Sequence, residues 1–339
     1  MCELPPNIVE GNVFVRLRPL AVVVLLPVLA ILTGACEGGN LAKDSSRYAS
    51  QTTTVKVAHV PSTLFAPLYV AQDKGYFKDR GLDVELRKVQ AGQEAVPLAG
   101  SGKVDAVVAG FSAGLFNGLA QGLNVKVVAS MGSATGAKPS PTALEVAQRL
   151  LKSKAVRTTS DLRGRKIAVA GGSGAAGGYQ LAATLREAGL TLKDVKVVNV
   201  PIPDMATALA DGGVDAALAP APFTTAMEQR GTAKPLAVPP RGTSATGVIF
   251  SGGFAGKPAA DRFLAALRDA AGELQGSRAT SEENLKILAK ATGQKLEVLR
   301  RTPSYQWDPR LAVDENQLAA QRQTYLDSGL LRDGAAERG

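Results

Sequence analysis

Cysteine, histidine and tryptophan are nearly missing from this chain. Its 339 residues hold two cysteines, Cys2 and Cys36, one histidine, His59, and one tryptophan, Trp307, and only 5% are aromatic. Past residue 36 there is no thiol for a disulfide scaffold, a CxxC pair or a thiolate metal site, and a single histidine excludes a His-rich metal centre. The net charge is +9, yet Lys and Arg are scattered and no basic run interleaves with aromatics. Nucleic acid is therefore not the expected partner.

What is present begins at the N-terminus. Arg16 and Arg18 precede an uncharged stretch, residues 19 to 32, followed by small residues up to Cys36. A basic pair, an apolar run too short to span comfortably and a small-residue cleavage region make residues 1–35 a secretory signal peptide. Leu32, Thr33, Gly34, Ala35 and Cys36 resemble the bacterial lipobox, with Thr33 where that motif usually places Leu. The resemblance implies cleavage before Cys36 and a thioether-linked diacylglycerol on it. The polar, aperiodic stretch up to residue 54 reads as a tether, residues 36–54, between a membrane and a domain. Glu3 and Glu10 are out of place in a signal peptide, so translation is expected to start at Val13 or Val15, which N-terminal mapping of the precursor tests. Outside the cytoplasm, a basic surface sits favourably near anionic lipid headgroups.

From residue 55 short apolar runs alternate with amphipathic stretches: "VKVAHV", "LDVELRKV", "DAVVAG" and "VKVVAS", each parted from the next by a helical segment. After a link and a helix over residues 142–153, the scheme restarts with "KIAVAG", "VKVVNV", "DAALAP" and "AKPLAV". Such alternation implies an α/β fold of parallel strands with helices on both faces. Residues 98–122 align with residues 209–231, placing Asp105 opposite Asp215, which points to a repeated βα lobe. "TGVIFSGG" adds one more strand, and the rest reads as helix. A chain that builds one lobe, builds a second and returns crosses twice and makes a hinge. The cleft between the lobes is the default ligand site. The expected division is lobe 1 from 55–135 and 245–339, and lobe 2 from 136–244.

"LYVAQDKGYF", "DLRGRKIAV", "AGSGKVDAVVAG" and "ALADGGVDAALAPAPF" resemble the extracytoplasmic binding proteins of ABC importers. The nearest branch includes aliphatic sulfonate, taurine, nitrate and thiamine-pyrimidine binders. The resemblance runs from about residue 55 to residue 255. It implies a type II periplasmic-binding-protein fold, closure of the lobes on a small-molecule solute, and delivery to a permease and ATPase complex by a monomeric, lipid-anchored receptor without catalysis or cofactor. Enzymes of the superfamily that make the thiamine pyrimidine carry a cysteine-rich motif and histidines. Neither occurs here.

In such a fold the ligand meets loops at the C-terminal ends of strands. In lobe 1 these are Pro61–Phe65, Ala91–Glu94 and Gly110–Ala113; in lobe 2 they are Gly171–Gly178 and Ala219–Phe223. Several open directly into helices, whose free N–H groups and dipole attract an anion, and a serine hydroxyl adds a donor. The candidate ligand contacts are Ser62, Thr63, Phe65, Gln93, Phe111, Ser112, Ser173, Gly174, Ala175 and Phe223. Each hydroxyl also reads as a helix N-cap, and each aromatic, Tyr179 included, as core packing. His59 and Trp307 read first as buried, satisfied groups.

Gly172, Gly174 and Gly177 spell GxGxxG after a strand, which keeps an NAD-dependent oxidoreductase open as an alternative. That reading expects an acid near the end of the following strand to hold the ribose. The strand ends Asn199, Val200, Pro201, and the first acid is Asp204. A ligand-sensing lipoprotein without a transport role is a further alternative that the residues do not separate from import.

Overall fold

Short runs of four to seven residues, several of them rich in Val and Ala, fold as strands. The computed structural model describes residues 52–332. The expected signal peptide, the lipidated Cys36 and nearly all of the tether lie outside them. The first half contains β1 (Thr53–His59), α1 (Ala66–Asp73), β2 (Leu82–Lys88), α2 (Gly92–Gly100), β3 (Ala106–Gly110), α3 (Ala113–Ala120) and β4 (Val125–Ser130). The second contains β5 (Thr142–Ala147), α4 (Gln148–Lys152), β6 (Lys166–Val169), α5 (Ala176–Arg186), β7 (Lys196–Asn199), α6 (Met205–Ala210), β8 (Ala216–Pro220), α7 (Phe223–Gln229) and β9 (Ala233–Ala237). The chain then returns through β10 (Thr246–Ser251), α8 (Pro258–Glu273), α9 (Glu282–Thr292), α10 (Leu296–Leu299) and α11 (Glu315–Asp327).

Two five-stranded sheets result, ordered β2-β1-β3-β10-β4 and β7-β6-β8-β5-β9. β1 runs parallel to β2 and β3, and β6 runs parallel to β7 and β8. The all-parallel expectation fails at one strand in each sheet: β10 is antiparallel to β3 and β4, and β5 to β8 and β9. Both follow directly on a crossing from the other sheet, so the chain enters against the direction of its neighbours. The crossings lie side by side, with the Ala134 N–H donating to Thr243 O at 3.0 Å and the Gly242 N–H to Ala134 O at 2.9 Å.

Two expectations for local structure are corrected. Residues 142–153 form β5 and the short α4 rather than one helix. All six residues of β5 are buried, and a segment held between two strands has no solvent face for a helical pattern to match. Its one ionisable group, Glu145, is fully buried with neither oxygen hydrogen-bonded. Burial and the nearby Glu228 carboxyl push its pKa up to about 8. The "SYQWDPR" stretch is likewise not helical. Pro303 precedes it and Pro309 interrupts it, and Gln306 bridges to Ser133 beside the first crossing.

The aligned aspartates play the same part in both halves. Asp105 Oδ2 accepts the Lys56 N–H at 2.8 Å, and Asp215 Oδ2 accepts the Lys166 N–H at 3.1 Å. Each also donates its own N–H to the carbonyl of that lysine, at 2.8 Å, and offers its carbonyl to the last residue of the inserted strand, Ser251 or Ala147. The carboxylate thus satisfies a strand-edge N–H that the ladder leaves unpaired.

Helix α8 buries Ala259, Ala260, Phe263, Ala266, Leu267, Ala270 and Ala271. That is the i, i+3, i+4 stripe of an amphipathic helix. Phe263 stacks on Phe77 with centroids 4.9 Å apart, so the C-terminal helices complete the core of the first sheet. The second sheet has a core of its own around Leu144, Ile167, Leu181 and Leu218.

Candidate functional site

Three helices begin where strands of the two sheets face each other. α2 opens after Ala91, α3 after Ser112 and α5 after Ala175, and Ser62 caps the helical turn that leads into α1. Among them lies a cavity of about 100 Å3. Ser62, Phe65, Gln93 and Ser112 line it from the first half, Ala175 and Gln180 from the second. Of its lining residues, none carries a charged side chain. The positive ends of the helices are therefore its main electrostatic feature.

The structure brings Ser62, Phe65, Gln93, Ser112 and Ala175 to this cavity. Ser62 and Thr63 both donate their hydroxyls to Ala221 O across the cleft, at 3.3 and 3.1 Å, and Ser62 Oγ also accepts the Leu64 N–H at 3.3 Å. Gln93 Nε2 donates to Gly171 O at 2.9 Å. Ser112 Oγ caps α3 by accepting the Leu115 N–H at 3.2 Å. The Ala113 N–H donates to Gly174 O at 2.8 Å. Thr63 and Gly174 thus sit in contacts between the halves but off the cavity lining.

The remaining candidates lie elsewhere. Phe111 is buried and packs in the core over Gly247, where an added Cβ would stand 2.5 Å from its ring. Ser173 is half-buried and outside the lining. Phe223 borders a groove of about 650 Å3 with Lys88, Glu94 and Asp204. That groove adjoins the cavity, since Val60, Gln90 and Ile202 line both. Tyr179 donates its hydroxyl to Gln317 Oε1 at 2.9 Å. His59 is buried away from the cavity with Nδ1 3.0 Å from the Tyr69 hydroxyl. Burial and Lys88 lower its pKa to about 4, which keeps it neutral. Trp307 is buried and donates Nε1–H to Leu64 O at 3.0 Å.

Sequence reasoning missed Thr142, Gln180 and Thr246, all on the lining. Thr142 was hidden in a segment read as helix. Thr246 opens the "TGVIFSGG" run, where a hydroxyl at a strand start was the available signal. The C-terminal helix α11 was expected as a helix but not at the site, where it touches both halves. Tyr325, fully buried, donates its hydroxyl to Ala175 O at 2.7 Å and stands 3.3 Å from Phe111 O. Gln321 Nε2 donates to Phe111 O at 2.8 Å and to the Tyr325 oxygen at 2.9 Å.

The glycine loop holds the halves together. Gly171 and Gly172 have φ of +79° and +75°, the left-handed region that favours glycine. A Cβ on Gly171 would meet Gln93 Oε1 at 2.4 Å, and one on Gly110 would meet Ala176 Cβ at 2.5 Å. At the end of β7, where a dinucleotide fold places its ribose acid, Asn199 Oδ1 accepts the Gly171 N–H at 2.8 Å. An amide that braces the turn replaces the carboxylate. Among the described residues no helix is long and apolar enough to cross a membrane.

A family model described as NMT1/THI5 like matches residues 62–238. A 40-residue segment is 52% identical to the 4-amino-5-hydroxymethyl-2-methylpyrimidine phosphate synthase of Aspergillus parasiticus, covering 12% of each chain. The curated relatives that match are thus covered over only 12% to 14% of their own length. Among solved structures, the alkanesulfonate-binding protein SsuA from Xanthomonas axonopodis pv. citri, bound to MOPS, superposes with a TM-score of 0.67. It shares 22% identity over 84% of this chain and 96% of its own. The periplasmic nitrate-binding protein NrtA from Synechocystis PCC 6803 has a TM-score of 0.64 at 15% identity, over 84% and 85% of the two chains. The shared architecture is the two-lobed α/β fold of periplasmic binding proteins.

Proposed function

Because the chain belongs to the NMT1/THI5-like family, we propose that it is the solute-binding receptor of an ABC importer, working outside the cytoplasm on a lipid anchor at Cys36. Residues 55–135 with 245–339, and residues 136–244, act as lobes that close on one small anionic or polar organic solute and deliver it to a permease and ATPase. Sulfonates, taurine, nitrate and thiamine-pyrimidine precursors are the solute classes.

One observation carries this reading: a small uncharged cavity between the sheets, ringed by the starts of α2, α3 and α5. Backbone N–H groups and helix dipoles stabilise a single negative charge without a fixed cation. The cavity suits a head group of sulfonate or nitrate size, and the adjoining groove past Phe223 suits the remainder of a longer solute. The same lining argues for a receptor over a synthase. None of its side chains titrates near neutrality, and its hydroxyls have no neighbouring base on the lining to activate them.

Calorimetric titration and thermal unfolding with methanesulfonate, taurine, nitrate, bicarbonate and 4-amino-5-hydroxymethyl-2-methylpyrimidine test the reading. A solute that binds only the folded state stabilises it by about 2.7 kcal/mol at a hundredfold excess over Kd. If no probe binds or raises the melting temperature, the reading fails.

A further inference from the structure

β5 and β10 hold the same place in their sheets, are the same length, and end at residues whose N–H groups meet the carbonyls of Asp215 and Asp105. Their first residues, Thr142 and Thr246, are therefore counterparts, one on each side of the cleft. Both are buried, 1% and 3% exposed, and both line the cavity. They differ in one respect. Thr142 Oγ1 lies 2.9 Å from the Tyr305 hydroxyl, with which it shares a hydrogen bond, whereas Thr246 Oγ1 is buried without any partner.

Among the other hydroxyls of the lining, Ser62 both donates to Ala221 O and accepts the Leu64 N–H, while Ser112 Oγ accepts the Leu115 N–H as the cap of α3. Burying a hydroxyl without a hydrogen bond weakens a fold, and native proteins rarely leave one so. An apolar residue of the same shape would serve β10 better if packing were its only task. Resting on the receptor reading above, we propose that Thr246 is a solute-binding residue whose Oγ1–H donates to an oxygen of the bound head group. Tyr305 occupies the twin hydroxyl of Thr142, so recognition falls on the β10 side. The head group this suits is an oxyanion such as a sulfonate, nitrate or carboxylate, which offers several acceptors and needs no donor.

Thr246→Val keeps the shape and removes the hydroxyl; Thr246→Ser keeps the hydroxyl. Affinity for methanesulfonate and nitrate is measured by calorimetry, and urea unfolding of each variant is followed without a probe. The expected result is a roughly ten- to hundredfold loss of affinity in Thr246→Val, the range for a hydrogen bond to a charged group, with Thr246→Ser close to the parent protein. Unfolding of Thr246→Val should need at least as much urea as the parent, because no internal hydrogen bond is lost. If Thr246→Val binds the probe as the parent does, or unfolds at lower urea as loss of an internal partner requires, the proposal is overturned while the receptor reading stands. If the parent binds no probe, the receptor reading fails and this proposal with it.

Discussion

Glu145 offers a test in which stability should depend on pH with a known sign. The side chain is fully buried in β5, without a hydrogen-bond partner, and is driven from an ordinary value of 4.5 up to about 8 by burial first and by the Glu228 carboxyl second. The native state therefore holds a proton that the unfolded chain releases above pH 4.5. A group raised in this way contributes its full stability below 4.5 and loses it as pH climbs to about 8. Linkage sets the slope at about 1.4 kcal/mol per pH unit, or about 5 kcal/mol over the whole range. His59 acts in the opposite sense. Its value falls from 6.5 to about 4, so it destabilises the fold as pH drops through that window. The two effects oppose each other between about 4.5 and 6.5, and from 6.5 to 8 the loss at Glu145 is no longer offset by His59. Across that upper window the protein should lose about 1.5–2 kcal/mol, allowing for partial ionisation near 8. Urea unfolding at four pH values between 6.5 and 8, on the parent and on Glu145→Gln, measures it. The parent should slope downward and the glutamine variant should run flat. Parallel curves for the two proteins would refute a proton held at Glu145.

Other expectations follow from single contacts. Gly110→Ala places a methyl 2.5 Å from Ala176 Cβ and should hold the lobes apart, cutting solute affinity by about tenfold or more while circular dichroism stays unchanged. Tyr325→Phe removes the donor to Ala175 O and the acceptor for Gln321; because these groups are buried, the cost should be about 1–3 kcal/mol in urea unfolding. Asp105→Ala and Asp215→Ala each free one strand-edge N–H, of Lys56 and of Lys166. Each should destabilise by about 1 kcal/mol, Asp215→Ala by slightly more because it also removes ion pairs with Arg149 and Arg165, and no loss in either variant would deny that the carboxylates hold those N–H groups.

Much of this architecture was legible because its signals are local. Runs such as "DAVVAG" and "DAALAP" are short, apolar and bounded by turn residues, and the aspartate at the head of each marked the repeat before any contact was known. β5 was not legible because "TALEVAQRLLKS" spaces its apolar residues as a helix does. The decisive fact, burial on both faces between β8 and β9, belongs to the fold and not to the segment. At the cavity, helix-start positions located Ser62, Gln93, Ser112 and Ala175. What those side chains bond to was not legible. Ser62 meets Ala221 and Gln93 meets Gly171, 159 and 78 residues away, and pairs that distant leave no pattern in a single chain. A hydroxyl at a strand start marked Thr246 only weakly, and its lack of a partner, which sets it apart, needs the whole surrounding structure.

The place of the two inserted strands also sets an order of assembly. In the second sheet β5 precedes its partners in the chain, so that sheet can fill as each strand emerges during synthesis. In the first sheet β3 and β4 are consecutive yet do not pair, and the gap between them is closed only by β10, after the whole second half has been made. The lobe that starts first must finish last. Until β10 arrives, two strands present unpaired edges, and those edges are where a nascent chain is most exposed to wrong pairing.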